Sequence, residues 1–244
     1  LYALLGGYSG TGPSDSAYTH TFSITESNQH QSLSFVVEDP TTTELYKLVM
    51  IDSMKIQAAL DKVVTYTLGF MSKCARDTGL TAPAVVTEHK FTKKHINVYL
   101  ADTVAGLDAA SPIAVKSLNF NVMKNVAMDD ILGTAEPEDF LNNQLAVEGD
   151  IELNYDAETF KTLFKNGSYK AMKIAFVNTD ATIGAGTRPS LTIICPKVDF
   201  GQWEPNYDLD KITTQKTSFK ASKDITNSLN IISSCVLIND VASY

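Results

Sequence analysis

The chain has 244 residues, with 28 acidic against 20 basic side chains and a formal net charge of −8. A chain of this length buries enough surface to form its own hydrophobic core. The acidic balance argues against a dedicated nucleic-acid-binding protein, whose affinity depends on clustered Lys and Arg. The three cysteines lie far apart, so their spacing predicts neither a disulfide framework nor a zinc site and fits a reducing cytosol.

Alternation of apolar and polar residues with period 2 predicts about ten strands along the chain. A polar turn around Asp61 and Lys62 joins two of them into a predicted β-hairpin with one buried face. No clean linker divides the chain, so we expect one mainly β domain over residues 1–244. In chain order, the predicted strands cover 33–37, 54–58, 64–70, 96–100, 117–122, 147–155, 172–176, 191–198, 217–221 and 231–238.

One flanking helix is predicted over 157–166. Asp156 can cap its start, Phe160, Leu163 and Phe164 share one face, and Asn166–Gly167 supplies a left-handed stop. A further helical turn is predicted at 136–142. The glycine-rich segment 6–16 and the polar segment 200–212 are predicted loops, and 180–189 is predicted to connect two strands as a hairpin.

Motifs for enzyme chemistry are missing from the sequence. It contains no phosphate-binding loop, no zinc-protease motif and no complete serine-hydrolase elbow. The four histidines share no metal-ligand spacing with one another or with a cysteine. No apolar run is long enough for a membrane span. We therefore expect no catalytic residues, no cofactor, no metal and no membrane partner.

The acidic residues concentrate in one segment. Ten of them lie in 129–160, and no Lys or Arg occurs between Lys124 and Lys161. Alternation places Glu148, Asp150 and Glu152 on one strand face, where neighbouring carboxylates lie about 7 Å apart. We interpret this face as a solvated or functional acidic surface, with paired acid–base catalysis as the alternative.

The only basic cluster is 89–95 (HKFTKKH), which includes Lys90, Lys93 and Lys94. Such a cluster is typical of a solvated strand entry, where charges prevent strand edges from associating. It also fits a contact with an acidic copy of the same protein, and both interpretations are preferred to nucleic-acid binding.

The order and spacing of the strand segments carry a resemblance to a known family. The matching pieces are 18–22 (YTHTF), 33–37 (LSFVV), 52–56 (DSMKI), 147–156 (VEGDIELNYD), 171–176 (AMKIAF), 191–200 (LTIICPKVDF) and 214–221 (TQKTSFKA). Taken together, they resemble the tail-tube (major tail) proteins of long flexible-tailed, siphovirus-type phages.

This resemblance implies an all-β fold, a β-sandwich or barrel with one flanking helix and long loops or hairpin arms. It implies a non-enzymatic virion protein that assembles into stacked hexameric rings and forms the conduit for genome ejection. The implied partners are copies of itself, the tape-measure protein, tail terminator or tip proteins, and genomic DNA that passes through the lumen without specific binding. The implied location is the virion tail, and the host cytoplasm during assembly. Further strands are expected upstream of Leu1.

The segments 101–116 and 126–144 exceed ordinary connection lengths and are expected to be intersubunit loops. Glu148, Asp150 and Glu152 are the candidate lumen or acidic surface. The candidate intersubunit contacts are Lys90, Lys93, Lys94, Asp102, Asp108, Asp129, Asp130 and Glu136. Two alternatives remain: an inner-tube protein of a contractile tail or injection machine, and, from a different class, an extracellular carbohydrate-binding or adhesin β-sandwich.

Overall fold

The computed structural model describes residues 1–74, 76–77 and 89–242. Within them lie two α-helices, α1 (Tyr2–Leu5) and α2 (Thr159–Asn166), and two short 3-10 turns, Lys93–His95 and Val104–Gly106. None of these helices has the length and apolar character needed to cross a membrane. The strands are β1 (Gly6–Ser14), β2 (Ala17–Ile24), β3 (Leu33–Glu38), β4 (Thr43–Ala59), β5 (Thr65–Met71), β6 (Arg76–Asp77), β7 (Ile96–Ala101), β8 (Pro112–Ile113), β9 (Val115–Met123), β10 (Ala127–Asp129), β11 (Asp139–Leu141), β12 (Ala146–Asn154), β13 (Lys170–Val177), β14 (Ser190–Asn206), β15 (Thr214–Ser222) and β16 (Ser234–Asn239).

Fourteen strands form one antiparallel sheet whose main path is β1-β2-β16-β14-β15-β12-β9-β4-β3. Strands β13, β7 and β8 branch from β14, and β5 and β6 pair with β4. Strands β10 and β11 form a separate two-stranded hairpin. The mainly β fold with one flanking helix is therefore confirmed.

Strand β14 divides this sheet into two layers. Its residues 190–198 pair with β13 and β16, whereas residues 197–206 pair with β15. The first layer thus contains β8, β7, β13, β16, β2 and β1, and the second contains β15, β12, β9, β4 and β5. A single hydrophobic cluster joins Phe176 and Ile193 of the first layer to Phe120, Ile151 and Phe219 of the second. The core therefore lies between the layers, as in a β-sandwich.

Helix α2 packs its apolar face on β14. The rings of Phe160 and Phe200 meet edge to face with centroids 5.4 Å apart, and Leu163 is buried beside them. Gly167 has φ 58° and ends the helix in the left-handed conformation predicted for it. The start differs from the prediction, because Glu158 rather than Asp156 is the N-cap residue and it makes no side-chain capping hydrogen bond.

Three local predictions are wrong. Residues 6–14 form strand β1 instead of a loop, since an exposed edge strand needs no apolar alternation. The strand predicted to end at 198 continues to Asn206, because a bulge between Phe200 and Gln202 shifts the alternation by one residue. The helical turn predicted at 136–142 is occupied by β11, which pairs with β10.

Candidate functional surfaces

The outward side of the second layer presents polar side chains in transverse rows, and we call this surface the polar face. The strand register places each residue opposite the next in its row. The rows are Lys55, Asn121, Glu148, Lys220 and Asp199; Gln57, Asn119, Asp150, Ser218 and Gln202; and Ser117, Glu152, Lys216 and Glu204. A depression of about 750 Å³ lies over this face. As predicted, Glu148, Asp150 and Glu152 lie on the side of β12 opposite the buried Val147 and Ile151.

Asp150 is at the centre of the hydrogen bonds on this face. Its carboxylate accepts hydrogen bonds from the Asn119 side-chain amide at 3.0 and 3.1 Å and lies 3.2 Å from the Lys216 ammonium. Gln57 in turn donates to the Asn119 amide oxygen at 3.0 Å, and the Ser117 hydroxyl donates to Glu152 at 3.4 Å. These contacts hold the carboxylates in a cross-strand network of mixed charge.

The ten acids of 129–160 do not form one continuous surface. Five of them lie on or next to the β10–β11 hairpin, three on the polar face and two beside α2, where Glu158 pairs with Lys161 at 2.5 Å. On the polar face, lysines from β4 and β15 lie among the acids, leaving five carboxylates against three lysines. The face is thus only moderately acidic.

Three of the predicted intersubunit residues make ion pairs within the chain. Lys94 lies 2.6 Å from Asp180, Asp108 lies 2.8 Å from Lys173, and Asp102 pairs with Lys170. The segment 101–116 also buries Leu107 and pairs β8 with β7. This segment therefore lies along its own layer, held by contacts to β7 and β13.

The lysine cluster also contains a buried histidine. His95 is 1% exposed, accepts the Thr92 backbone N–H on Nδ1 at 3.1 Å, and donates from Nε2 to Asp180 at 3.2 Å. The hydrogen bond from Lys94 is the main cause that lowers the pKa of the Asp180 carboxyl. Since both ring nitrogens of His95 are engaged in fixing the entry to β7, its arrangement is structural.

Within the segment 126–144, β10 and β11 form a two-stranded hairpin that we call the acidic hairpin, residues 127–141. Its base is anchored: Phe140 is fully buried against Met50, and the Val126 N–H donates to Asp52 at 2.8 Å. The hairpin itself has five acids, no Lys or Arg, and exposed Met128, Ile131 and Leu132. Leu132 is 104% exposed, so this apolar side chain makes essentially no contact that shields it from solvent.

A second charged surface lies at the turn after β4, and we call it the basic patch: Leu60, Lys62, Val63, Lys90, Lys93 and Lys116. The Val64 N–H donates to the Phe91 carbonyl at 3.0 Å, which brings the turn beside the predicted lysine cluster. Leu60 and Val63 are 46% and 45% exposed. A small cavity of about 60 Å³ between Leu60, Lys93 and Lys116 has an apolar floor of Ile96, Ile113 and Val115.

An exposed apolar strip on β5 was not predicted. Tyr66 and Leu68 pair with the buried Ile56 and Met54, so they lie on the core side of the second layer. They are nevertheless 46% and 48% exposed, and Phe70 is 47% exposed. The ring of Phe70 meets Phe35 of β3 edge to face at 4.9 Å. The predicted hairpin exists, but the prediction that its apolar face is buried fails on β5, where the part of the chain that the structure describes leaves these three side chains about half exposed.

A buried lysine ties the N-terminal helix to the sheet. The Lys124 ammonium donates to the Ala3 carbonyl at 3.0 Å, and the residue is 1% exposed. Burial lowers the pKa of this amine to about 8, and the nearby Asp52 carboxylate opposes the shift. The side chain satisfies a carbonyl of α1, whose Ala3, Leu4 and Leu5 are buried in the core.

Comparison with known proteins gives one clear match. A family model described as phage tail tube protein matches residues 1–230. None of the curated proteins compared with the chain matches it.

Proposed function

The chain belongs to the phage tail tube protein family, and from this premise we propose that it assembles into the stacked hexameric rings of a long flexible, siphovirus-type tail. Membership in the family makes it a structural protein of the phage tail, located in the virion, and implies a role other than catalysis. The finer elements of the proposal are the sixfold ring, the conduit for genome ejection, and assembly in the host cytoplasm around a tape-measure protein with terminator or tip proteins at the ends.

The observation that carries the ring is the uncovered edge at β5. Among the described residues, β5 pairs only with β4, so its outer backbone groups lie at a free sheet edge. An exposed edge with apolar side chains is a site for pairing with another chain. Tyr66, Leu68 and Phe70 supply such side chains, each about half exposed.

The other end of the sheet path offers a different long edge. Strand β1 pairs only with β2 among the described residues, and its residues from Ser9 onwards are exposed. Contact between β5 of one copy and β1 of the next would join two different surfaces. Such a heterologous contact generates a closed ring when the rotation per copy divides a full turn.

In this arrangement the polar face lines the lumen. The core lies between the two layers, so the polar face is the solvent-facing side of the second layer, and we assign this side to the channel. The five carboxylates of this face outnumber its three lysines, so the face has a net negative charge and does not attract the DNA phosphates. A wall of this composition lets DNA pass without holding it, with Glu148, Asp150 and Glu152 at its centre.

Electron microscopy of the purified protein tests the proposal. We expect sixfold rings or tubes with a central channel in negative stain. The concentration dependence is followed by sedimentation velocity, since a heterologous contact is populated by mass action. The protein is prepared with any residues that are encoded upstream of Leu1. If it stays monomeric at high concentration, the ring proposal is contradicted.

A further inference from the structure

We propose that the acidic hairpin of one copy docks on the basic patch of another copy, joining subunits end to end. The two surfaces lie at opposite ends of the second layer. The hairpin base packs on Met50 and hydrogen-bonds Asp52, whereas the basic patch begins at Leu60. Met50 and Ala59 are nine residue steps apart along strand β4, which corresponds to about 30 Å. A hairpin cannot reach the patch of its own chain across this distance, but a second copy in line can.

The two surfaces are complementary in charge. The hairpin has five acidic residues and no basic one. The basic patch has four lysines, with Asp61 as the acid in the same turn. Asp129, Asp130 and Glu138 are exposed, as are Lys62, Lys90 and Lys93. Opposite charges arranged in this way steer two surfaces together and fix their orientation.

Both surfaces also present apolar side chains that a single chain leaves in water. Leu132 at the hairpin tip is 104% exposed and Ile131 is 43% exposed. The patch presents Leu60 and Val63 around the cavity with its apolar floor. An apolar centre surrounded by charged residues is the usual anatomy of a specific protein interface. The occupant of the patch is therefore residues 130–138 of a second copy, with Leu132 directed to the cavity.

This inference rests on the proposed function and adds the axial contact to it. Edge pairing at β5 joins copies side by side, whereas the hairpin and the patch lie at the strand ends and join copies along the strand direction. The contact gives the stack a direction, since every copy has a hairpin at one end and a patch at the other. Repetition of such a heterologous contact produces an open stack.

Charge reversal tests the contact directly. Asp129→Lys with Asp130→Lys reverses the hairpin, and Lys62→Glu with Lys93→Glu reverses the patch. We expect each double variant to form rings but to need an at least about tenfold higher concentration for tube elongation. Combining the four substitutions in one chain should restore elongation. Asp208→Lys with Asp210→Lys changes the net charge equally on another exposed loop and should leave elongation unchanged.

A cross-link provides a second readout that does not depend on charge. In a Cys74→Ser background, Leu60→Cys and Leu132→Cys in the same chain should give a ladder of disulfide-linked oligomers after mild oxidation. The remaining Cys195 and Cys235 are buried and each about 1% exposed. Either single cysteine variant should give no ladder.

The outcomes separate the two proposals. Wild-type protein that forms no rings contradicts the proposed function. Rings that elongate equally well in the hairpin, patch and control variants, or the absence of a ladder in tubes of the double-cysteine chain, overturn the docking of the acidic hairpin while leaving the ring intact.

Discussion

Replacing two side chains of the β5 strip, Tyr66→Ser and Leu68→Ser, should separate the ring into monomers. Tyr66 is 46% exposed and Leu68 is 48% exposed, so about half of each is available for burial by a neighbour. An aromatic side chain buries about 200 Å² in full, and half of this at about 25 cal/mol/Å² corresponds to about 2.5 kcal/mol. Half of a leucine adds about 1 kcal/mol. The loss per contact is therefore about 3.5 kcal/mol, or a factor of about 300 in the association constant.

The assay is a dilution series followed by sedimentation velocity, with ring counts from negative stain at the same concentrations. We expect the concentration at which rings give way to monomers to rise by about two and a half orders of magnitude. The monomer should also lose some stability, because about half of each side chain is buried within the chain. A thermal melt of the variant therefore establishes that it is folded at the assay temperature before rings are counted.

The matched control is Thr65→Ser with Thr67→Ser, which changes the other face of the same strand at two exposed positions. These variants should assemble like the wild type. If the Tyr66/Leu68 variant is folded and forms rings at the wild-type concentration, β5 is not an assembly edge and the reasoning from exposed apolar area is refuted.

Two further predictions concern the stability of the subunit. Gly149→Ala should destabilise the fold by about 3 kcal/mol, since a Cβ there would collide with the backbone carbonyl oxygen of Asn119 and lie 2.6 Å from the Phe219 ring. Gly201→Ala, where the nearest atom lies at 3.7 Å, should be nearly neutral in the same thermal melts. Equal melting temperatures for the two variants would contradict this. Burial lowers the pKa of Lys124 to about 8 in the folded chain, whereas in the unfolded chain it stays near its ordinary value of about 10.5. Between these two pH values the unfolded chain binds more protons than the folded chain. The free energy of unfolding should therefore rise by about 3 kcal/mol from pH 8 to about 10.5. Urea titrations of wild type and Lys124→Met across this range should show the rise in the wild type alone, and parallel pH profiles would disprove it.

The faces of the central strands could be predicted from the sequence. Alternation placed Glu148 outside and Val147 inside, and the structure has Val147 fully buried. This succeeds because the period of a strand is a local property of the backbone. The same alternation predicted that Tyr66 and Leu68 face the core, which is correct for direction but wrong for burial. Whether an opposite layer covers a given strand depends on residues far away in the chain, which no local pattern contains.

The missed parts of the surfaces have similar causes. Two lysines join the basic patch through the fold and are distant from the lysine cluster in the sequence. Lys116 lines the same cavity as Lys93, and the hydrogen bond from Val64 to Phe91 brings the turn that contains Lys62 beside the cluster. The second half of β14 was missed because the strand has a bulge at Gly201. Beyond the bulge, the alternation of apolar and polar positions is shifted by one residue, so it no longer continues the pattern of 191–198. Leu132 gave the one signal available locally, an apolar residue in a turn full of acids.

Strand β14 has a mechanical consequence. Its 17 residues pair with β13 and β16 in one layer and with β15 in the other. A force that pulls on either layer therefore passes through a covalent backbone into the other, and shear between the layers requires rupture of hydrogen bonds on both sides of the same strand. The subunit should bear load as a single rigid block, so that bending of an assembled tail occurs at the contacts between copies and not within them.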